Sequence, residues 1–199
     1  MKLFYTPGAI SQAVHIVLRE AGLPFTLEKV DPHANVTASG SQYSQINPGG
    51  FVPSLRLDTG EILTETIALL PWIADLATEK KLAPLPGTLQ RFRLHELLSF
   101  IATEVYKQYF AFGDAKDMAA VTAKLQRRLA QLEQRQVGRT WLLGDSFSVA
   151  DAYLFVNLGW APLVGLDLAP YPNLRALQDR IAARPAVKEA IATEGPMQH

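Results

Sequence analysis

The sequence contains no cysteine and has no excess of either charge. Without cysteine, the 199-residue chain can form no disulfide, offer no thiolate to a metal and use no thiol of its own as a nucleophile. Lys+Arg 19 and Asp+Glu 19 give a formal net charge of zero, and the basic blocks are pairs such as Lys80-Lys81. This charge pattern gives no electrostatic footprint for nucleic-acid binding and leaves only specific readout by a few residues.

The sequence also lacks a long uninterrupted run of apolar residues. The stretch 152–166 contains Asn157 and Pro162, so it falls short of the roughly 18 apolar residues of a membrane span. The first apolar run ends at Pro7-Gly8, too early for a secretory signal. We therefore expect a cytoplasmic protein with no membrane and no nucleic-acid partner.

Neither nucleotide-binding glycine loops nor metal-ligand spacings occur. The sequence has no Gly-x-Gly-x-x-Gly and no Gly-Lys-Ser/Thr. Its four histidines, His15, His33, His95 and His199, do not form pairs at helical metal-ligand spacing. We expect no metal site and no bound nucleotide.

The first half of the chain predicts an α/β fold. Residues 2–6 and 25–30 have the pattern of strands, and the helical periodicity between them ends at Gly22, so the three form a parallel βαβ unit. Residues 52–57 and 61–63 flank a turn and predict a hairpin, which is followed by a further helix. The order is βαβ-ββα, with a mixed four-stranded sheet covered by helices.

The second half is predicted to be all-helical. It follows the Pro/Gly-rich segment 83–87, and a long stripe of apolar residues then has helical spacing. That stripe consists of Leu94, Leu97, Leu98, Ile101, Val105, Tyr109 and Phe112. We predict domains at 1–78 and 88–199, joined by a linker at 79–87. Ser148 and Asp151 predict a capping box that begins a core helix rather than a catalytic pair.

Two segments of the first half could bind a ligand, and each has a plainer interpretation. Pro53 begins a strand after Val52; a trans bond is the common case, whereas a cis bond would leave the Val52 backbone free to pair with a peptide. Glu65 and Thr66 lie where the hairpin meets the next helix. That helix start is either an ordinary N-cap or an anion site suited to a carboxylate.

The order and spacing of short motifs resemble those of the cytosolic glutathione S-transferases, most of all the bacterial beta class. The motifs span nearly the whole chain, and together they are highly specific. They are MKLFYTPG at 1–8, HIVLRE at 15–20, NPG at 47–49, VP at 52–53, LTE at 63–65, ATE at 102–104, FSVADAYLF at 147–155 and ARP at 183–185. The resemblance implies a thioredoxin-like N-terminal domain, a helical-bundle C-terminal domain, a cis bond before Pro53 and a homodimer.

The resemblance also implies where glutathione, the co-substrate, binds. The cysteinyl amide of glutathione would pair with the Val52 backbone, and Glu65 and Thr66 would hold its γ-glutamyl end. Three polar positions on the long helix of either subunit match residues that line the same cleft. They are Ser99, Thr103 and Glu104.

Three positions depart from the beta-class pattern. Ile10 stands where the class usually has a cysteine, so the mixed-disulfide chemistry of the class is impossible in this chain. Tyr106 stands where a histidine often precedes the lysine. Asn35 replaces a lysine that commonly meets the glycyl carboxylate, which predicts weaker glutathione binding because one ionic contact becomes neutral.

The reactive sulfur must therefore come from glutathione. Lowering its thiol pKa by about two units needs roughly 2.7 kcal/mol of thiolate stabilisation, which a hydroxyl and a helix N-terminus can supply. Ser11 at the start of the first helix, Tyr5 at the end of the first strand and Tyr106 are the candidate hydroxyls. The electrophile is expected between the domains, against apolar walls formed by Ile10, Tyr106, Phe110 and Trp160.

The predicted activity is conjugation of the glutathione thiolate to small hydrophobic electrophiles. Two alternatives use the same site. One is a non-catalytic protein that binds glutathione or hydrophobic ligands, because the class cysteine and histidine are both replaced. The other is a glutathione-dependent peroxidase.

Overall fold

A computed structural model of the chain describes residues 1–114 and 117–195. The strands are β1 Lys2–Tyr5, β2 Thr26–Asp31, β3 Val36–Thr37, β4 Ser54–Arg56 and β5 Ile62–Thr64. The α-helices are α1 Ser11–Ala21, α2 Thr66–Asp75, α3 Leu89–Phe100, α4 Lys107–Asp114, α5 Met118–Gln136, α6 Val149–Gly159, α7 Pro172–Ala182 and α8 Pro185–Glu194. A π-helical segment, Ile101–Tyr106, joins α3 to α4, and short 3₁₀ turns lie at Tyr43–Gln45, Thr78–Lys80 and Ala161–Val164.

The chain divides into two compact units. The first contains Met1–Leu82 together with the segment that begins at Pro185, and the second contains Ala83–Arg184. The break after Leu82 falls inside the predicted linker at 79–87. The predicted domain 88–199 differs from the observed division at its C-terminal end, because α8 packs against α1 and belongs to the first unit. His199 lies outside the described residues.

The sheet of the first unit has the strand order β3-β2-β1-β4-β5. β1 is parallel to β2 and antiparallel to β4, and β4 is antiparallel to β5, as the βαβ unit and the hairpin predict. The prediction of four strands was wrong by one: β3 adds a short antiparallel edge, pairing Val36 with Asp31 and Thr37 with Val30. A two-residue strand is too short for an alternating pattern to reveal it.

Helix α1 packs on this sheet through an almost wholly buried surface. Val14, Ile16, Val17 and Leu18 are each completely buried. The helix ends at Gly22, whose φ of 66° is a left-handed conformation that favours glycine. The thioredoxin-like arrangement of the first unit confirms the predicted fold class.

The second unit is helical, as predicted. Leu97, Ile101, Val105 and Tyr109, which belong to the predicted stripe, are buried. The interruption of α-helical geometry at Ile101–Tyr106 was not predicted. Among the described helices, none combines the length and the apolar character needed to cross a lipid bilayer.

The predicted capping box at the start of α6 is confirmed. The Asp151 carboxylate accepts hydrogen bonds from the Ser148 N–H and the Ser148 hydroxyl, both at 2.8 Å. It also accepts one from the Leu142 N–H at 2.9 Å. Asp151 is completely buried, so it begins a core helix and offers no group to a ligand.

Candidate active site

Two of the three candidate hydroxyls flank the loop between β1 and α1: Tyr5 ends β1 and Ser11 begins α1. The Ser11 side chain is completely buried. Its Oγ accepts a hydrogen bond from the Thr6 N–H at 3.2 Å and donates one to the Thr6 carbonyl at 3.3 Å. The Ser11 hydroxyl therefore links the two ends of this loop, and its proton is already donated to the Thr6 carbonyl.

Tyr5, at the end of β1, has an uncommitted hydroxyl. The Tyr5 side chain is only 9% exposed, and its hydroxyl makes no hydrogen bond within residues 1–114 and 117–195. Burial raises the pKa of Tyr5, and the negative charge of Glu194 raises it further. The phenol therefore keeps its proton at neutral pH and can donate it to an anion.

The N-terminus of α1 adds backbone donors beside this tyrosine. Gln12 N–H donates to the Ala9 carbonyl and Ala13 N–H to the Ile10 carbonyl, so the turn is formed. The N–H groups of Ile10 and Ser11 have no partner in the described part of the chain. Free N–H groups at the positive end of a helix dipole stabilise a negative charge.

The segment before β4 has a free backbone edge. The Val52–Pro53 peptide bond is cis, which confirms what the family resemblance implied. The Phe51 carbonyl accepts hydrogen bonds from the Tyr43 hydroxyl at 3.1 Å and from Asn47 Nδ2 at 2.8 Å. By contrast, the Val52 N–H and C=O have no partner among the described residues and can pair with an extended peptide.

The start of α2 combines an acidic side chain with free donors. Glu65 has a φ of 67°, an unusual conformation for a residue with a side chain and one that is found often at functional sites. Its carbonyl accepts the Ala68 and Leu69 N–H groups at 2.9 Å, whereas the Thr66 and Ile67 N–H groups have no partner in the described chain. An exposed carboxylate beside these donors suits a ligand end that carries both an ammonium and a carboxylate.

Asn35 follows β2 and also has a left-handed backbone, with φ of 54°. Its backbone carbonyl accepts the Tyr43 N–H at 2.8 Å. Its side-chain Oδ1 is buried and has no hydrogen-bond partner in the described chain. The structure therefore holds a neutral, unsatisfied amide at this position.

The polar positions of the second unit are only partly available to a ligand. Ser99 and Thr103 are exposed, and the Thr103 hydroxyl donates to the Ser99 carbonyl at 2.9 Å. Glu104 forms an ion pair with Arg128 of α5. This ion pair already occupies one oxygen of the Glu104 carboxylate.

Tyr106 belongs to an aromatic cluster that also contains Tyr109, Phe110 and Trp160. The Tyr106 ring lies 4.8 Å from that of Phe110 and 5.7 Å from that of Trp160, and Tyr109 meets Trp160 edge to face at 5.6 Å. Phe110 is 57% exposed, whereas Tyr109 is buried. This cluster gives the second unit an apolar aromatic surface that is open to solvent at Phe110.

Sequence reasoning missed Glu194, which fixes the β1–α1 loop. Its carboxylate accepts hydrogen bonds from the Gly8 N–H at 3.1 Å, Gln12 Nε2 at 3.0 Å and His15 Nδ1 at 2.8 Å. Arg19 Nε donates to His15 Nε2 at 2.8 Å, so the proton of neutral His15 lies on Nδ1. No local pattern marks Glu194, because its partners lie at the other end of the chain.

Comparison with known proteins identifies the family of the chain. Family models described as the glutathione S-transferase N-terminal and C-terminal domains match residues 9–76 and 94–185. The chain is 38% identical to the glutathione S-transferase GstA of Escherichia coli O157:H7, over 98% of this chain and 99% of that protein. The chain belongs to the glutathione S-transferase family.

Solved transferase structures have the same fold. A sphingomonad glutathione S-transferase in complex with glutathione is 44% identical, with a TM-score of 0.94 over 98% of this chain and 99% of that one. The beta-class transferase of Sphingomonas chungbukensis is 43% identical, with a TM-score of 0.93 over 98% and 99%. Within the described residues of this family member, no group of three or more potential metal ligands occurs.

Proposed function

We propose that the chain binds glutathione in its first unit and transfers the glutathione thiolate to small hydrophobic electrophiles. The free backbone edge at Val52 is the observation that carries this proposal. A backbone N–H and C=O that have no partner among the described residues, beside Pro53, suit the amide of a short extended peptide. Family membership and the relative solved with glutathione support the same ligand.

The γ-glutamyl end of glutathione carries an ammonium and a carboxylate, and the start of α2 matches both. The Glu65 carboxylate would pair with the ammonium. The Thr66 and Ile67 N–H groups and the Thr66 hydroxyl would donate to the carboxylate. With the central amide on Val52, this arrangement fixes the direction in which the tripeptide binds.

We propose that the thiolate is stabilised by Tyr5 and by the N-terminus of α1. The Tyr5 hydroxyl keeps its proton and has no hydrogen-bond partner among the described residues, whereas the Ser11 hydroxyl is buried and already donates to Thr6. We therefore assign Ser11 a positioning role in the loop. The Ile10 and Ser11 N–H groups add the helix-dipole contribution, and Tyr106 is the alternative hydroxyl.

In the reaction, the glutathione sulfur forms a bond to the electrophilic carbon, and the leaving group departs with its bonding electrons. No protein nucleophile takes part, since the chain has no cysteine. The protein contributes proximity and stabilisation of the thiolate. The aromatic cluster suits apolar, planar electrophiles because its rings can stack on them.

The test is a titration that measures the pKa of the bound glutathione thiol. The ultraviolet absorbance of the thiolate reports its ionisation at each pH. We expect Tyr5→Phe to raise this pKa by about one unit, because loss of one hydrogen bond to an anion costs about 1.4 kcal/mol. Conjugation of a model aryl halide below neutral pH should slow about tenfold. Tyr171→Phe is the matched control, since that hydroxyl donates to the Gln126 carbonyl.

If neither Tyr5→Phe nor Tyr106→Phe changes the thiol pKa, the hydroxyl part of the mechanism is wrong. If wild-type protein binds glutathione but conjugates no member of a broad electrophile panel, the chain is a carrier rather than a transferase.

We further propose that the protein is a homodimer in the cytoplasm, where glutathione is the principal small thiol. Leu89 and Phe92 of α3 are 65% and 66% exposed, although they are large apolar side chains. With Glu96, Ser99 and Thr103 they form one stripe at spacings of three and four residues, which we call the α3 stripe. A second copy of the chain would cover its apolar end.

A further inference from the structure

The Glu194 carboxylate holds both sides of the turn that begins α1. One of its oxygens, Oε2, accepts hydrogen bonds from the Gly8 N–H at 3.1 Å and from Gln12 Nε2 at 3.0 Å. The two N–H groups that we propose as thiolate donors, those of Ile10 and Ser11, lie between these residues in the sequence. The direction of both N–H groups therefore depends on where Glu194 holds the turn.

The second oxygen of Glu194 meets His15, and the geometry fixes which ring nitrogen carries the proton. Glu194 Oε1 lies 2.8 Å from His15 Nδ1, and neither side chain has exposed surface. On the other side of the ring, Arg19 Nε donates to His15 Nε2 at 2.8 Å. Because a guanidinium has only donors, Nε2 carries no proton, and His15 is neutral with its proton on Nδ1. His15 therefore donates to Glu194.

Arg19 is itself held by α8, so the ring meets a fixed donor on that side. Arg19 Nη1 donates to Glu189 Oε2, and Nη2 donates to the Thr193 hydroxyl, both at 2.9 Å. A turn of Arg19 away from His15 would break these contacts. Arg19, His15 and Glu194 thus form a chain of hydrogen bonds that leads from the surface of α8 to the loop between β1 and α1.

We propose that Glu194 is a positioning residue of the thiolate site and that Arg19 acts on it through the tautomer of His15. This inference rests on the proposed stabilisation of a glutathione thiolate at the N-terminus of α1. A carboxylate only accepts, so it matches all three donors that converge on it. Its charge, however, opposes a second anion nearby: the negative charge of Glu194 raises the pKa of Tyr5. Positioning and charge therefore predict opposite effects when the carboxylate is neutralised.

The first experiment neutralises Glu194 and measures the pKa of the bound glutathione thiol from the absorbance of the thiolate. In Glu194→Gln, half of the new amide is a donor, which must face either the His15 Nδ1 proton or the Gly8 N–H. The turn then shifts. We expect the thiol pKa to rise by about half a unit and conjugation of a model aryl halide below neutral pH to slow about threefold. Loss of the charge alone would lower the pKa.

Arg19→Gln in the Glu194→Gln background supplies the rescue. The new amide at position 19 can accept from His15 Nε2, which leaves Nδ1 free to accept from the amide at position 194. We expect the thiol pKa of the double variant to return to within about 0.2 unit of wild type, and Arg19→Gln alone to change it no more than that. Glu189→Gln is the matched control, because it makes the same substitution on the same helix at an exposed partner of Arg19, and it should leave the pKa unchanged.

Nitrogen NMR of the His15 ring tests the same coupling without glutathione. The proton should be on Nδ1 in wild type and on Nε2 in the double variant. The wild-type spectrum decides this point even if a variant fails to fold, and circular dichroism shows which variants are folded.

A wild-type proton on Nε2 would overturn the inference, and so would a thiol pKa that is unchanged or lower in Glu194→Gln. A pKa raised equally in Glu194→Gln and in the double variant would overturn the coupling through His15. In each of these cases wild type still binds glutathione and the proposed function stands. Wild-type protein that binds no glutathione at millimolar concentration would overturn the proposed function and this inference with it.

Discussion

The buried carboxyl group of Asp151 makes the stability of the fold depend on pH. Burial raises the pKa of its carboxyl group from the usual 3.8 to about 6, against the opposing effect of the hydrogen bonds from Leu142 and Ser148. The folded protein therefore holds the Asp151 proton more tightly than the unfolded chain does. Between about pH 4 and pH 6, this group makes folding less favourable as the pH rises.

Asp151→Asn removes this titration. We expect the stability advantage of wild type over Asp151→Asn to be greatest near pH 4 and to fall by about 3 kcal/mol toward pH 7. Urea unfolding of both proteins across that range measures the difference. Asp145→Asn, an exposed site in the preceding loop, should leave the pH dependence of wild type unchanged. A difference that grows with pH would contradict the assignment.

Single residues could be predicted from the sequence where their partners are close along the chain. The capping box was predictable because Ser148 and Asp151 are three residues apart, which fixes their geometry once a helix forms. The direction of the Ser11 hydroxyl was not predictable. The sequence places Ser11 at a helix start, but the loop conformation decides that the hydroxyl turns to Thr6.

At the scale of elements, α8 is held to α1 by a buried polar contact. The Glu194 side chain has no exposed surface, and neither does that of His15. Three donors from the first helix and its loop converge on this one carboxylate. Removing the carboxylate takes a buried acceptor away from Gln12 and His15, and losing the partner of a buried donor costs more than the net contribution of the bond.

We expect Glu194→Ala to lower the free energy of unfolding by about 3 kcal/mol. Glu189→Ala is the control on the same helix: Glu189 is 64% exposed and pairs with Arg19, so its removal should cost no more than about 0.5 kcal/mol. Chemical denaturation of the two variants gives both values. Equal losses would mean that the buried network does not hold α8.

The elements themselves were predictable in proportion to their length and regularity. Helix α1 was evident from its periodicity, whereas β3 and the contact of α8 with α1 depend on pairings that no local pattern encodes. The π-helical segment is consistent with the spacing of the apolar residues in the sequence. Leu97, Ile101, Val105 and Tyr109 recur every fourth residue, and in an α-helix that spacing drifts by about 40° per step. The wider turn at Ile101–Tyr106 absorbs the drift and keeps all four buried.

At the scale of the whole molecule, the α3 stripe predicts the oligomeric state. We expect wild type to sediment with twice the 21.9 kDa mass of one chain and Phe92→Glu to sediment as a monomer, since a charge at the centre of an apolar contact costs several kcal/mol. Leu163→Glu, at an apolar side chain that is 52% exposed elsewhere in the second unit, should leave the mass unchanged. A monomeric wild type would contradict the proposal.

The first unit is formed by two segments that lie far apart in the sequence. Because the segment after Pro185 completes the unit that Met1 begins, the second unit is in effect an insertion between two parts of the first. During synthesis Glu194 leaves the ribosome long after Gly8 has emerged. The loop beside Tyr5 therefore lacks the Glu194 carboxylate until the segment after Pro185 has been made, so a nascent chain without α8 has no support from α8 for this loop.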